Sequence, residues 1–296
     1  LTNTPGERLD HYLVRTGHAA SRRDAREMVA RGAVLLNGRR GIKGAVVRAG
    51  DNVEVETLPR LAAIEPDAEA RVAVLFEDAA LIVVNKPGGV PCHPLRPGER
   101  GTVMNAVVAQ FPETEYIGDK PIEGGLIHRL DNGTSGALMV GRTADAFAIL
   151  RPAIRSGAIK RKYLALVSGN LKAPLSLSTP IAHYPKNPRK MIVVSEESEI
   201  AKLAARPAMT RIEPMRRVGN FTLVSVTPSS GVRHQIRVHL ASAGFPIVGD
   251  DLYGGAPTEL GSGRFWLHLS EIEFESPASG ATKVLAPLPS ELAKMI

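Results

Sequence analysis

The chain has 296 residues, room for about two domains of roughly 100–200 residues each. Its 44% hydrophobic and 23% charged residues exclude a disordered chain, a collagen-like repeat and a coiled coil. Lys and Arg number 37 against 30 Asp and Glu, giving a net charge of +7. No apolar run reaches the ~18 residues of a membrane-spanning helix.

The opening twenty residues are mixed and polar and do not read as a secretory signal, and the chain starts at Leu1 rather than Met, which leaves room for a segment upstream. Between Arg8 and Arg48 lie ten basic residues and only Asp10, Asp24 and Glu27 as acids, an excess equal to that of the whole chain. Such a segment suits a polyanion, because Lys and Arg contacts to phosphate drive nucleic-acid affinity. A solvated Arg-rich surface is the plainer alternative. Leu9 and Leu13, one turn apart, predict a helix stopped at Gly17. Ser21 and Asp24 read as a capping box opening a second helix, which turns Met28 and Val29 inward, crowds Arg22, Arg23 and Arg26 at its start and ends at Gly32. A strand then runs into an Asn37-Gly38 turn, and Val46-Val47 and Val53/Val55 are further strands broken at Gly50-Asp51. The order predicts two helices packed on a small sheet.

Thr57–Arg71, with Pro59 and Pro66 and no clear period, reads as a linker. Val72–Phe76 and Leu81–Val84 predict strands about a Glu77-Asp78 turn. Cys92 is the one cysteine, so no intrachain disulfide or Cys-rich zinc site is expected, and a reducing, cytoplasmic setting is. Thr102–Phe111 predicts a helix, Gly136–Gly141 a buried strand, and Ala144–Ile154 a helix kinked or split at Pro152. Lys162–Val167 alternates as a strand, short strands and turns fill Lys172–Val226, and Arg233–Ala243 predicts a helix closed by Gly244. The fold class expected is α+β: a small α/β domain over 1–56, a linker over 57–71, and a larger domain over 72–296 with a mainly antiparallel mixed sheet.

The sharpest chemistry lies in Gly124–Arg142, where His128, Arg129 and Asp131 lead into the turn-rich Asn132-Gly133-Thr134-Ser135-Gly136. A loop cluster of ionisable groups between strands is a candidate site, and an Asp that merely caps the turn weighs equally from chemistry alone. On the predicted Arg233–Ala243 helix, Ile236, Leu240 and Ala243 form an apolar stripe that Arg233 and Arg237 flank, so Arg237 is set to reach a half-buried partner. His234 and His239 are five apart and share no helix face, and there is neither an H-E-x-x-H motif nor a G-x-x-x-x-G-K-[ST] loop, so neither a metal nor a nucleotide cofactor is expected.

Two resemblances sharpen this. The segment Arg8–Glu56 resembles the alpha-L RNA-binding module, whose second helix and following strand grip structured RNA; by that resemblance Arg22, Arg23, Arg26, Arg39 and Arg40 face RNA. The run His128-Arg129-Leu130-Asp131-Asn132-Gly133-Thr134-Ser135-Gly136 resembles the catalytic motif of the RluA-type pseudouridine synthases, and four further blocks follow the family order: Asn85–Pro94, Ile159–Gly169, Ser230–Gly254 and Arg264–Phe274. The resemblance implies isomerisation of uridine in RNA without metal or nucleotide. It implies Asp131 as the catalytic carboxylate, Arg237 as its partner and Tyr163 as the stacking ring and candidate acceptor of the carbon 5 proton. It also implies Arg129 filling the space left by the flipped nucleotide, Leu267 against the uracil, and His128, Lys86 and His93 lining the cleft. The family's usual G-R-[TK]-H-Q is Gly231-Val232-Arg233-His234-Gln235 here, so altered RNA contact is expected at Arg233. Arg142 stands where the family carries Lys. Large-subunit ribosomal RNA is the expected substrate, transfer RNA the runner-up, and a single chain suffices. The competing reading is a non-catalytic RNA-binding protein that keeps the fold.

Overall fold

A computed structural model describes residues 6–19, 22–56, 64–118 and 120–296. They fall into two compact units, Leu1–Leu61 and Ala62–Ile296.

The first unit runs β1 (Glu7–Arg8), α1 (Leu9–Arg15), α2 (Arg22–Ala30), β2 (Val34–Leu36), β3 (Arg39–Arg40), β4 (Val46–Val47) and β5 (Val53–Val55). Leu9, Leu13, Ala25, Val29, Val34 and Val47 close its small core. Gly17, at φ +77°, ends α1 in the left-handed conformation that glycine adopts freely. Asn37 and Gly38 both have positive φ, as a tight β2–β3 hairpin requires. In place of one small sheet there are two: β3-β2-β5, and β1 paired with β4. The Ser21–Asp24 capping box lies outside the described residues.

The second unit runs β6 (Ala73–Glu77), β7 (Leu81–Lys86), α3 (Val103–Gln110), β8 (Ser135–Gly141), α4 (Ala144–Ser156), β9 (Lys160–Ser168), β10 (Leu175–Leu177), β11 (Ile181–His183), β12 (Met191–Val193), α5 (Glu197–Lys202), β13 (Thr210–Val218), β14 (Phe221–Pro228), α6 (Gln235–Ser242), β15 (Leu267–Ser276), β16 (Gly280–Leu285) and α7 (Ser290–Ala293). Among the described residues nine strands form one sheet, in the order β10-β13-β14-β9-β15-β8-β7-β6, with β16 on the far half of β15. Every pair in it is antiparallel except β15 with β8, so the fold class is α+β with a mainly antiparallel sheet. Strands β7 and β8 read as almost unbroken apolar runs because they are buried on both faces. No helix among the described residues is long and apolar enough to cross a membrane.

Three elements differ from the sequence reading. Residues 64–71 are not free linker: Ile64 is fully buried in the larger core, and Asn105 Nδ2 donates to the Glu65 carbonyl at 2.7 Å. Helix α4 runs through Pro152 to Ser156 without splitting. The carbonyl that Pro152 leaves without its donor belongs to Ala148, on the exposed face, where water can satisfy it. Helix α6 begins at Gln235, because His234 has φ +55°, so Arg233 precedes the helix and does not flank its apolar stripe.

Candidate active site

The segment carrying the H-R-L-D run is tied down residue by residue. Ile127 N–H donates to the Met139 carbonyl at 3.0 Å, continuing the pairing of β8. One residue on, the Met139 N–H donates to His128 Nε2 at 3.2 Å, the imidazole standing in for a backbone acceptor. The Cys92 thiol donates to the Leu130 carbonyl and accepts from the Leu130 N–H, both at 3.3 Å. Lys86 is wholly buried, and its Nζ donates to the carbonyls of Pro87, Asn132 and Thr134 at 2.9, 3.0 and 2.7 Å. An ammonium has three donors, so this set saturates it. Burial pushes the Lys86 pKa down to about 8, and Asp131 pulls the other way.

These contacts correct two expectations. Lys86 and His128 do not line an open cleft; they brace the loop from behind. Burial of the His128 ring, with Arg161 nearby, holds its pKa down at about 3. Gly133 is a close-approach glycine: a Cβ there would lie 2.5 Å from both the Gly263 carbonyl and the Phe265 ring.

Asp131 emerges from this loop with a quarter of its side chain exposed. Its Oδ2 accepts from Arg237 Nη1 at 2.9 Å. Arg237 projects from the first turn of α6, and its Nε and Nη2 donate to Asp250 at 2.7 and 2.8 Å. One guanidinium thus holds two carboxylates, bidentate on Asp250 and single on Asp131. The rings of Tyr253 and Phe265 lie against it, with centroids 5.1 and 4.4 Å from its Cζ. Burial works against the Arg237 charge, but Asp250 and Asp131 outweigh it and hold its pKa above the ordinary value. Asp250 and the two rings went unnoticed in the sequence: Asp250 stands beside Asp251, and nothing local tells the buried acid from the exposed one.

Tyr163 lies buried on β9, opposite Leu269 of β15, while Ala165 two residues on faces Leu267. The alternation of side chains puts Tyr163 and Leu267 on one face of the sheet. Burial raises the Tyr163 pKa, and Arg161 opposes that rise. Arg161, two residues before it on the same face, is itself buried and donates to the Ser230 carbonyl at 3.0 Å. Arg129 is largely exposed, with Nη1 3.4 Å from His93 Nε2 and 3.7 Å from the buried Glu123. Arg142 pairs with Glu113 and Glu77 at 2.7 and 3.0 Å. Arg233 reaches the carbonyls of Pro188 and Arg189 at 3.2 and 3.3 Å.

In the first unit Asp10, only 6% exposed, gathers arginines. Arg8 Nε and Arg26 Nε lie 2.9 and 3.0 Å from its oxygens, and Arg22 Nη2 lies 3.7 Å away. Their bonds, that of Arg8 first, overcome burial and hold the Asp10 pKa well below the usual carboxylate range. Arg8 and Arg26 border a cavity of about 490 Å³ floored by Leu9 and Val29. Arg39 and Arg40 are exposed on the hairpin; the side chain of Arg23 lies outside the described residues.

Comparison with known proteins places the chain in a family. The RNA pseudouridylate synthase family matches residues 80–242, and the S4 domain matches residues 7–53. An uncharacterized RNA pseudouridine synthase of Chloroflexus aurantiacus is 33% identical over 97% of this chain and 88% of its own. The ribosomal large subunit pseudouridine synthase D of Xanthomonas campestris is 31% identical over 98% and 88%. The structure of human RNA pseudouridylate synthase domain containing 1 shares the fold, with a TM-score of 0.59 and 24% identity over 76% of this chain and 86% of that one. The chain belongs to the RNA pseudouridine synthase family, enzymes that isomerise uridine in RNA, and carries an S4 domain ahead of the synthase domain.

Proposed function

We propose that Asp131 is the catalytic carboxylate and that the enzyme modifies large-subunit ribosomal RNA, in the cytoplasm, as a single chain. The observation that carries the assignment is the Asp131–Arg237 pair at 2.9 Å, with Asp131 the more exposed partner. A carboxylate in a closing pocket is pushed towards its neutral form by desolvation; an adjacent guanidinium keeps it ionised. Arg237 is in turn anchored by Asp250, so it can serve Asp131 without moving.

The reaction breaks the bond from ribose carbon 1′ to uracil nitrogen 1, turns the base, joins carbon 5 to carbon 1′ and releases the carbon 5 proton, while nitrogen 1 gains one. A single ionised carboxylate serves attack on carbon 1′, attack on carbon 6 or assistance to uracil departure. In this reading Tyr163 offers its ring to the base, and its hydroxyl is the candidate acceptor of the carbon 5 proton. Leu267, on the same sheet face, packs against the uracil. The exposed Arg129 occupies the gap left when the uridine turns out of its stack, since a stacked base cannot be reached. Arg22, Arg26, Arg39 and Arg40 of the S4 domain supply phosphate contacts, with Arg233 of the synthase domain adding one. The names borne by relatives from Xanthomonas campestris and Pasteurella multocida, ribosomal large subunit pseudouridine synthases D and C, support the choice of RNA.

The test is a carbodiimide primer-extension map of ribosomal and transfer RNA from cells lacking the gene, after treatment with wild-type or Asp131→Asn protein. Stops in large-subunit RNA with the wild type alone are expected. Stops confined to transfer RNA refute the substrate, and stops with both proteins refute the role of Asp131.

A further inference from the structure

Arg237 engages one oxygen of Asp131, Oδ2. The other, Oδ1, faces His234 Nε2 at 3.9 Å. His234 sits immediately before α6 at φ +55° and ψ +18°, a left-handed conformation that most non-glycine residues avoid. Strained backbone of this kind persists where the surroundings over-determine it, often at functional sites.

The hydrogen bonds favour one placement of the ring proton. The Tyr253 hydroxyl oxygen accepts from the Met191 N–H at 2.8 Å and lies 2.9 Å from His234 Nδ1. A phenol has one hydrogen to give. Donated to Nδ1, it leaves the imidazole proton on Nε2, pointing at Asp131. The opposite tautomer would strand the buried Tyr253 hydrogen without an acceptor and turn a bare lone pair towards a carboxylate, both unfavourable. Five charged or titratable groups face the ring: Asp131 from the loop, Arg237 and Arg233 on either side in sequence, and Asp250 and Tyr253 beyond α6; Lys190 lies against the Tyr253 ring. Burial outweighs the pull of Asp131 and holds the His234 pKa down at about 4, so the ring is neutral at pH 7.

We propose that His234 is a positioning residue for Asp131: its Nε2–H, aimed by Tyr253, stands 3.9 Å from Oδ1, beyond hydrogen-bond length in the RNA-free enzyme, and closes on it when RNA binds, so that with Arg237 on Oδ2 it sets the plane of the carboxylate towards the reacting nucleotide. The inference rests on the reading of Asp131 as the catalytic carboxylate. A neutral donor suits the task. It orients the oxygen without the full charge of a second cation, which would hold the carboxylate lone pairs more tightly.

The test is single-turnover release of tritium from carbon 5 of uridine, using the full chain and in vitro transcripts of large-subunit ribosomal and transfer RNAs. His234→Phe keeps the ring packing on Tyr253 and loses the donor; His234→Gln keeps a donor near the Nε2 position, and both carry the same backbone strain. The Phe variant is expected to lose roughly 10- to 100-fold in rate with RNA affinity unchanged within about twofold, as for loss of an orienting donor. The Gln variant is expected to recover to within about fivefold of wild type. Tyr253→Phe is expected to slow the His234 enzyme several-fold and the His234→Gln enzyme less than about twofold, because glutamine has no tautomer to fix. A Phe variant as fast as wild type, or a Gln variant as slow as Phe, overturns the proposal. Asp131→Asn is measured alongside: turnover by that variant overturns the carboxylate assignment itself, whereas an inactive Asp131→Asn with a fast Phe variant overturns only the role of His234.

Discussion

Replacing Asp250 by asparagine removes the anion that accepts two of the three bonds of Arg237. The Asp250 side chain is 1% exposed and that of Arg237 8%, so the guanidinium cannot turn to water for compensation. Removing one partner of a buried ion pair costs about 3–5 kcal/mol, because the remaining charge stays buried. Asparagine keeps one carbonyl acceptor, and Asp131 still supplies a countercharge, so the expected cost lies near the lower end, about 3 kcal/mol. For a unit of this size that lowers Tm by roughly 6–12 °C. Asp131→Asn presents the opposite case. Arg237 keeps its bidentate partner, the altered side chain is a quarter exposed, and the expected cost is under about 1 kcal/mol. Calorimetry of the full chain, paired with tritium release from RNA, separates the two. Asp250→Asn melts early, whereas Asp131→Asn melts with the wild type and is inactive. Equal shifts in Tm, or a shift under about 2 °C for Asp250→Asn, would refute the reasoning.

Gly136→Ala sets a Cβ against the Leu269 carbonyl at a residue with φ +116°, where β8 meets β15. Loss of soluble protein, or a fall in Tm larger than that of Asp250→Asn, is expected; a wild-type Tm speaks against the described pairing. Stability of the synthase domain should fall as pH drops below about 6.5, since the unfolded chain protonates His128 and His234 while the native state, with values of about 3 and 4, does not. Each such group steepens the loss by up to about 1.4 kcal/mol per pH unit until its native value is reached, and equal urea stability at pH 7 and pH 5 contradicts this. Asp10→Asn in the S4 domain removes a negative charge from a basic face, which simple Coulomb attraction counts as a gain. The expected outcome is the reverse, a loss of RNA affinity of about threefold or more with a shallower salt slope, because Arg8, Arg22 and Arg26 lose the group that gathers them. Filter binding of a ribosomal RNA transcript at two salt concentrations decides it, and tighter binding by the variant sinks the idea.

The sequence disclosed the loop chemistry because motif order survives where local structure is obscure. The turn residues after Asp131 and the register of Arg237 were both legible. The helix carrying Arg237 was placed correctly except at its start, since no periodicity reveals a positive φ at His234, and that single dihedral moves Arg233 off the helix. Lys86 illustrates a different blindness. The resemblance implies a lysine lining the cleft, and only the fold brings three carbonyls from two segments around its ammonium. Hairpins such as β6–β7 were visible because their partners are neighbours in the chain. The position of β15 was not, because its pairing with β8 joins residues more than a hundred apart, and no local signal encodes such a contact.

That central strand has a consequence for the nascent chain. β8 and β9 carry the two walls of the sheet, yet they do not pair with each other; β15 fills the space between them and is translated about 100 residues after β9. Until it arrives, two largely apolar strands present unpaired edges, the kind of surface that recruits other chains. At about 5–20 residues per second this interval lasts roughly 5–20 s. Any delay in bringing residues 267–276 clear of the ribosome lengthens the exposure. During synthesis the sheet thus exposes edges that the finished fold covers with β15.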